Sequence, residues 1–274
     1  MRIVLLCLLV LSTLLASCTT GGDTGSETSS SAASSRLMAI TEADVRYTAD
    51  TVSANSFVAY ESNKTGTRPV VLVIPEWWGL NEFAKARARE LAKLGYFAMA
   101  VDMYGGRQVA TTPEEAGALA ARFYTDTTLI ISRLSAALAR AQSYPQADAS
   151  KGAMIGYCFG GHVSLMGAKL GLPVLGVVSF HGNLAGTESN SVPVLICHGE
   201  ADQFVNAEEV TDWRRRMDSL GATYTFRSYP GATHGFTNPA ATEVGKKFNL
   251  PIAYNAAADT ASWKEMKQFL QRVF

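Results

Sequence analysis

One cysteine of this chain stands where a reactive nucleophile is expected. Residues 156–161 read Gly-Tyr-Cys-Phe-Gly-Gly and lie between an apolar run and a helical pattern. Glycines on both sides permit the sharp turn, called a nucleophile elbow, that exposes a side chain above the end of a strand. The positive end of the following helix favours thiolate, the reactive form. We therefore predict that Cys158 is a nucleophile, the alternative being a small buried cysteine at a glycine-rich packing site.

An acid and a histidine follow Cys158 in the order that nucleophilic catalysis needs. Asp202 comes just after an apolar run at 192–197, and His234 just after another at 223–229. Histidine can take and return the proton of a nucleophile, while a carboxylate fixes its tautomer and stabilises its cation. The sequence thus predicts a Cys158–His234–Asp202 triad. The remaining histidines are expected to be structural: His162, His181 and His198.

A loop after the first long apolar run carries a further acid. Residues 75–81 read Pro-Glu-Trp-Trp-Gly-Leu-Asn. In this position a loop supplies the second donor of an oxyanion hole, so the backbone N–H of Trp77 is predicted to pair with that of Phe159. Glu76, at the mouth of the sheet, is a candidate catalytic group rather than a solvated loop acid.

The elements that position these residues are strands alternating with helices. Residues 69–75 form a continuous apolar run, as expected for a strand buried on both faces. The alternation predicts an α/β fold with a mostly parallel sheet, helices on both faces and a single domain over residues 37–274. Predicted strands lie at 45–60 (two), 69–75, 97–101, 152–156, 173–180, 192–197 and 223–229, and predicted helices at 81–94, from 112, 126–143, 160–170, 207–220 and 258–273.

The first residues have a different character. Arg2 precedes an apolar run at 3–15, which ends in Leu-Ala-Ser-Cys at Cys18. This pattern is typical of an export signal over residues 1–17 and resembles the bacterial lipobox, whose cysteine is lipidated. An ordinary secretory signal is the alternative. Residues 18–36, rich in Ser, Thr and Gly, are predicted to be a flexible linker. We expect a lipid-anchored protein of the cell envelope, in the outer membrane if the source is Gram-negative.

Composition excludes several classes of function. The chain has 24 basic and 24 acidic residues, so it lacks the basic excess of a nucleic-acid-binding protein. Outside the N-terminus no apolar stretch approaches the roughly 18 residues of a membrane span. There is no CxxC motif and no Cys/His cluster, which argues against a metal site. Cys197 is expected to be buried and inert, because a strand should separate it from Cys158.

Together these motifs resemble the dienelactone hydrolase family of the α/β-hydrolase fold. The resemblance rests on the cysteine elbow, Gly-x-x-Asp at 199–202, the His-Gly-Phe loop at 234–236 and the acid-led loop, and covers nearly all of 37–274. It implies a hydrolase for a small ester, lactone or thioester, acting through an acyl-cysteine without cofactor or metal. It also implies that Glu76 contacts the thiol and helps to generate the thiolate when substrate binds. We expect a monomer.

The same resemblance suggests substrate contacts. Residues 102–107 resemble the family segment that supplies an arginine to the substrate carboxylate, which makes Arg107 the candidate, with Tyr104 and Trp78 beside it. However, no second arginine follows His234, where the chain reads Gly-Phe-Thr-Asn-Pro. A missing arginine–carboxylate contact removes about 1.5–3 kcal/mol. Hydrolysis of an ester, lactone or thioester is therefore implied, but not of dienelactone itself.

Two other functions are compatible with the sequence. One is a lipid-anchored protein that binds a ligand without turning it over, and the other is an acyltransferase that uses an acceptor other than water. An ester hydrolysis time course, with and without an added acceptor, separates them.

Overall fold

An eight-stranded sheet forms the centre of residues 39–274, the part of the chain that this computed structural model describes. Its order is β1-β2-β4-β3-β5-β6-β7-β8. β1 and β2 form an antiparallel pair, β2 runs antiparallel to β4, and the pairs from β4 to β8 are parallel. The strands are β1 (Ile40–Ala49), β2 (Val52–Glu61), β3 (Arg68–Ile74), β4 (Phe97–Ala100), β5 (Ala147–Tyr157), β6 (Val177–Phe180), β7 (Val194–Gly199) and β8 (Tyr224–Tyr229). The predicted mostly parallel sheet is confirmed.

Strand β3 shows why both faces of the sheet must be covered. Its side chains alternate between two hydrophobic cores: Val70 and Leu72 belong to one, Val71 and Val73 to the other. Residues of α2 to α5 complete the first core, and residues of α1 and α7 complete the second. The helices are α1 (Glu82–Lys93), α2 (Pro113–Thr125), α3 (Thr127–Gln142), α4 (Phe159–Lys169), α5 (Ala207–Ser219), α6 (Ala241–Phe248) and α7 (Ala256–Val273).

Several helix boundaries follow from local capping chemistry. Thr112 caps α2 by accepting from the Glu115 N–H, with Pro113 in the first turn, and Asp126 caps α3 by accepting from the Leu129 N–H. Because the same Asp126 ends α2, these two helices are joined without a loop. This short connection keeps α2 close to the sheet edge where the site lies.

Several elements differ from the prediction. β1 begins at Ile40 rather than at 45, and β5 begins at Ala147 rather than at 152. β6 begins at Val177 rather than at 173. Leu175 does donate its N–H to the Gly152 carbonyl, but this hydrogen bond lies outside the regular strand pairing, which starts at Val177. Helix α6 was not predicted. Expectations for residues 1–38, including the signal, Cys18 and the linker, lie outside the described residues. Within 39–274, no helix combines the length and apolarity needed to cross a bilayer.

Candidate active site

Cys158 occupies a strained turn between β5 and α4. Its backbone has φ 54° and ψ −118°, in the left-handed region that few non-glycine residues adopt. The Cys158 N–H donates to the Phe180 carbonyl (3.0 Å), which ties the turn to β6. A side chain at Gly156 would collide with the backbone of Gly160, and one at Gly160 with the carbonyls that follow β3. The two glycines thus permit the close packing that holds the thiol at the sheet edge.

His234 and Asp202 meet above the ends of the next strands. Asp202 follows β7 and His234 follows β8, and the Nδ1 of His234 donates to Oδ2 of Asp202 at 2.8 Å. The other oxygen of Asp202 accepts the Phe204 N–H at 2.8 Å, so the carboxylate is held from both sides. Both residues are buried. This arrangement fixes the tautomer of His234 and leaves Nε2 for the nucleophile.

The imidazole of His234 also stands close enough to Cys158 for their charges to interact. Burial disfavours the charged imidazole, but the negative charge available on Cys158 and the hydrogen bond to Asp202 outweigh it, so the pKa of His234 is raised. A histidine with a raised pKa holds a proton that it can donate during a reaction.

Glu76 lies buried in the same cavity as Cys158 and His234, with an uncharged partner. Its Oε2 accepts a hydrogen bond from Nδ2 of Asn238 at 2.7 Å, while Oδ1 of Asn238 accepts the Ala240 N–H at 3.0 Å and so fixes the orientation of the amide. Burial raises the pKa of Glu76 to about 7, against the opposing effects of Asn238 and of the His234 charge. Glu76 can therefore gain or lose a proton near neutral pH.

The loop that carries Glu76 is fixed by hydrogen bonds to the backbone carbonyls of Trp77 and Trp78. The Tyr104 hydroxyl donates to the Trp77 carbonyl (2.8 Å), and the Ala110 N–H donates to the Trp78 carbonyl (2.9 Å). Trp77 and Phe159 both line the cavity that contains Cys158. Their backbone N–H groups remain the predicted oxyanion donors.

A cavity of about 380 Å³ opens over Cys158, Glu76 and His234. Five aromatic side chains contribute to its walls: Trp77, Trp78, Tyr124, Phe159 and Phe204. One face of α2 supplies a further wall, with residues spaced by three or four positions as helical geometry requires: Gly117, Ala120, Ala121 and Tyr124. The remaining lining comes from the segments that follow β6, β7, β8 and α6: Asn183, Val205, Gly235, Leu250 and Ile252.

Arg107 does not take its predicted place. Its guanidinium forms an ion pair with Asp44 on β1, and it is not among the lining residues. The backbone explains this, since Arg107 has φ 56° and its N–H donates to the Asp102 carboxylate, turning the chain toward β1 and β2. The prediction that Arg107 binds a substrate carboxylate is therefore corrected. Tyr104, also a predicted substrate contact, is not among the lining residues and instead holds the Trp77 carbonyl, whereas Trp78 lines the cavity.

Two polar neighbours of the triad were not predicted. One is Asn238. The other is His181, whose ring lies 5.1 Å from that of His234 and whose Nε2 is 2.8 Å from the Thr237 hydroxyl oxygen. Burial lowers the pKa of His181 well below its usual value, so it packs against His234 as a neutral ring. Its position directly after β6, the strand beside the elbow, was the signal that could have identified it.

The second cysteine of the domain lies outside the site. Cys197 is completely buried, its pKa is raised by burial to about 12, and β6 separates its strand from that of Cys158. Both thiols are free. Within the described part of the chain, no three His, Cys, Asp or Glu side chains are grouped as metal ligands.

Comparison with known proteins places this geometry in one family. A model described as the dienelactone hydrolase family matches residues 56–274. A candidate carboxymethylenebutenolidase of Methylorubrum extorquens is 30% identical to this chain, and the match covers 62% of this chain and 64% of that protein. Another, from Synechocystis, is 28% identical, and the match covers 75% of this chain and 87% of that protein. The crystal structure of a dienelactone hydrolase-like promiscuous phosphotriesterase from metagenomic libraries aligns with a TM-score of 0.80 and 33% identity, over 86% of this chain and 99% of its own.

Proposed function

The chain belongs to the dienelactone hydrolase family, and we propose that it hydrolyses a carboxylic ester, lactone or thioester through an acyl-cysteine intermediate on Cys158. The observation that supports this most directly is the convergence of three groups at one sheet edge. Asp202 holds Nδ1 of His234 at 2.8 Å, and the imidazole of His234 and the Cys158 thiol line the same cavity.

The first half of the reaction acylates the enzyme. The Cys158 thiolate attacks the carbonyl carbon and forms a C–S bond, and the negative charge moves to the carbonyl oxygen. The N–H groups of Trp77 and Phe159 stabilise that charge. As the C–O bond (C–S in a thioester) breaks, the His234 imidazolium donates its proton to the departing oxygen or sulfur. Alcohol or thiol leaves, or remains attached when the substrate is a lactone.

The second half releases the acid. His234, now neutral, takes a proton from water, whose oxygen attacks the thioester carbon. The C–S bond breaks, thiolate is regenerated beside the imidazolium, and the carboxylic acid departs. In this scheme Glu76 takes the thiol proton as the thiolate forms and passes it to His234, which holds it for the leaving group; a raised pKa allows Glu76 to do both.

A stopped-flow experiment with 4-nitrophenyl acetate tests the proposal. We expect a burst of 4-nitrophenol followed by steady turnover, and intact-mass detection of an acetyl group on Cys158 in samples quenched with acid. The Cys158→Ala variant should show neither, whereas Cys197→Ala, the matched control, should show both. A burst without turnover until an alcohol or amine is added would indicate an acyltransferase. The absence of any burst, of turnover and of acetylation would indicate a binding protein.

A further inference from the structure

Apart from the imidazole of His234, which is bonded to Asp202, the walls around Cys158 offer no positive charge to a substrate. Within residues 39–274, the cavity lining includes one carboxyl group, Glu76, and one imidazole, His234, but neither lysine nor arginine. Two arginines near the cavity are paired elsewhere. Arg107 pairs with Asp44, and Arg87 pairs with Asp259 behind the site.

One more cation, Arg122, lies on the same helix as the cavity wall. Its guanidinium stands 5.7 Å from the ring centre of Phe123, on a different side of α2 from Ala120, Ala121 and Tyr124, and it is not a lining residue. The described chain therefore presents aromatic and aliphatic surface, together with an acid, to whatever occupies the cavity.

An anionic group would be poorly tolerated in such a space. It would give up hydration on entering and find only the imidazole of His234, already bonded to Asp202, as a cationic partner. In addition, ionised Glu76 would repel it, and a carboxylate substrate would favour the protonated acid that cannot serve as a base. A neutral group of the same shape avoids both penalties and gains from contact with the aromatic walls.

We propose that this hydrolase acts on uncharged esters or lactones, neutral in both the acyl and the leaving group and with at least one apolar or aromatic part. This specificity rests on the proposed function. It departs from a substrate that carries its own carboxylate, as the name carboxymethylenebutenolidase given to the relatives describes.

Two isosteric esters test the charge preference. 3-Acetoxybenzamide and 3-acetoxybenzoate differ only in a neutral amide against a carboxylate, placed too far from the ester for intramolecular attack. After division by the uncatalysed hydrolysis rate of each ester, kcat/KM of the wild-type protein should be at least tenfold higher for the benzamide.

A variant on the α2 wall supplies the matched comparison. Ala121 is exposed and lines the cavity, so Ala121→Lys places a cation there, while Ala121→Gln adds a neutral side chain to the same helix. Both replacements have good helix propensity. The ratio of normalised kcat/KM for the benzamide to that for the benzoate should be at least threefold smaller in the lysine variant than in the glutamine variant.

The possible outcomes distinguish a wrong substrate class from a wrong proposed function. Equal normalised rates for both esters in the wild-type protein would overturn the substrate class while leaving the proposed hydrolase intact. Faster normalised hydrolysis of the benzoate would show that the cavity favours a negative charge, the opposite of the proposed substrate class. If neither ester reacts faster than with Cys158→Ala, and 4-nitrophenyl acetate gives no burst, no turnover and no acetylation, the proposed function itself is wrong.

Discussion

The carboxylate of Glu76 accepts its hydrogen bond from Asn238, a residue 162 positions further along the chain, at 2.7 Å. An amide donates without bringing charge, so it offsets only part of the desolvation of the buried acid. A cationic partner at the same place would keep Glu76 ionised throughout the physiological range. With Asn238 the pKa rises to about 7, which makes the protonation state of Glu76 an experimental variable.

The Glu76→Gln variant should lose acylation rate in a pH-dependent manner. Glutamine keeps the size and hydrogen bonding but cannot accept a proton. Above about pH 7, where Glu76 is ionised, we expect single-turnover acylation to be at least about tenfold slower than wild type, roughly 1.4 kcal/mol. Well below pH 7 the two proteins should converge. Glu114→Gln, the same change at an exposed position on α2, serves as control. Parallel pH profiles would show that Glu76 is not a base.

The same residue should make stability depend on pH. A carboxyl whose pKa is higher in the folded than in the unfolded state favours folding when protonated, and this advantage disappears as pH rises through the folded pKa. Relative to Glu76→Gln, the free energy of unfolding of the wild type should therefore fall between about pH 4.5 and pH 7, by at most about 3 kcal/mol. Urea unfolding at several pH values measures this. If the difference in free energy of unfolding between wild type and Glu76→Gln stays constant across that range, the pKa of Glu76 is not raised.

Asp202→Asn should leave the fold intact and lower kcat by at least about a hundredfold. The amide cannot stabilise the imidazolium, and its nitrogen in place of Oδ2 would force His234 into the other tautomer. The apparent pKa of His234, followed by NMR of the ring protons, should fall in the same variant. Asp212→Asn on the exposed surface of α5 provides the comparison. Wild-type kcat in Asp202→Asn would remove Asp202 from the triad.

Iodoacetamide should inactivate the protein through Cys158 alone. Cys158 is only half-buried and lies beside His234, whereas burial raises the pKa of Cys197 to about 12 and excludes reagent. Peptide mass mapping after stoichiometric inactivation should find the label on Cys158, and a slowly turned-over ester should protect it. Label on Cys197 at the same rate would mean that the sheet opens or that the Cys158 thiol is unreactive.

The predicted lipid anchor is tested by metabolic labelling with an alkyne fatty acid. Cells expressing a Cys158→Ala protein, in which no acyl-enzyme can form, should still incorporate label and retain the protein in the membrane fraction. The additional change Cys18→Ala should abolish both, and Cys7→Ala, within the proposed signal, should not. Unlabelled Cys158→Ala protein in the soluble fraction would contradict lipidation.

Local patterns identified much of the fold because the strongest ones coincide with burial. The continuous run that became β3 is apolar on both faces, and Thr112 with Pro113 marks the start of α2 unambiguously. Helix α6 escaped because it has only eight residues and its N-cap, Ala240, makes no side-chain hydrogen bond. Short helices without caps depend on tertiary contacts that no local signal carries.

The site was predictable to the extent that strand ends define it. Cys158, Asp202 and His234 each follow a strand, and the parallel sheet brings such positions to one edge. Arg107 was misassigned because its partner Asp44 belongs to a strand about sixty residues earlier, and the sequence gives no register for that pairing. The contact of Asn238 with Glu76 is hidden for the same reason.

Helix α2 contributes a wall of the chamber without contributing any member of the triad. The face formed by Gly117, Ala120, Ala121 and Tyr124 is made largely of small side chains, so enlarging one of them reshapes the space in front of the thiol while the sheet edge stays untouched. Divergence among such enzymes could then proceed by exchanging a few side chains on a single helix. Randomising these four positions would change which substrate shapes fit the cavity while leaving Cys158, His234 and Asp202 in place.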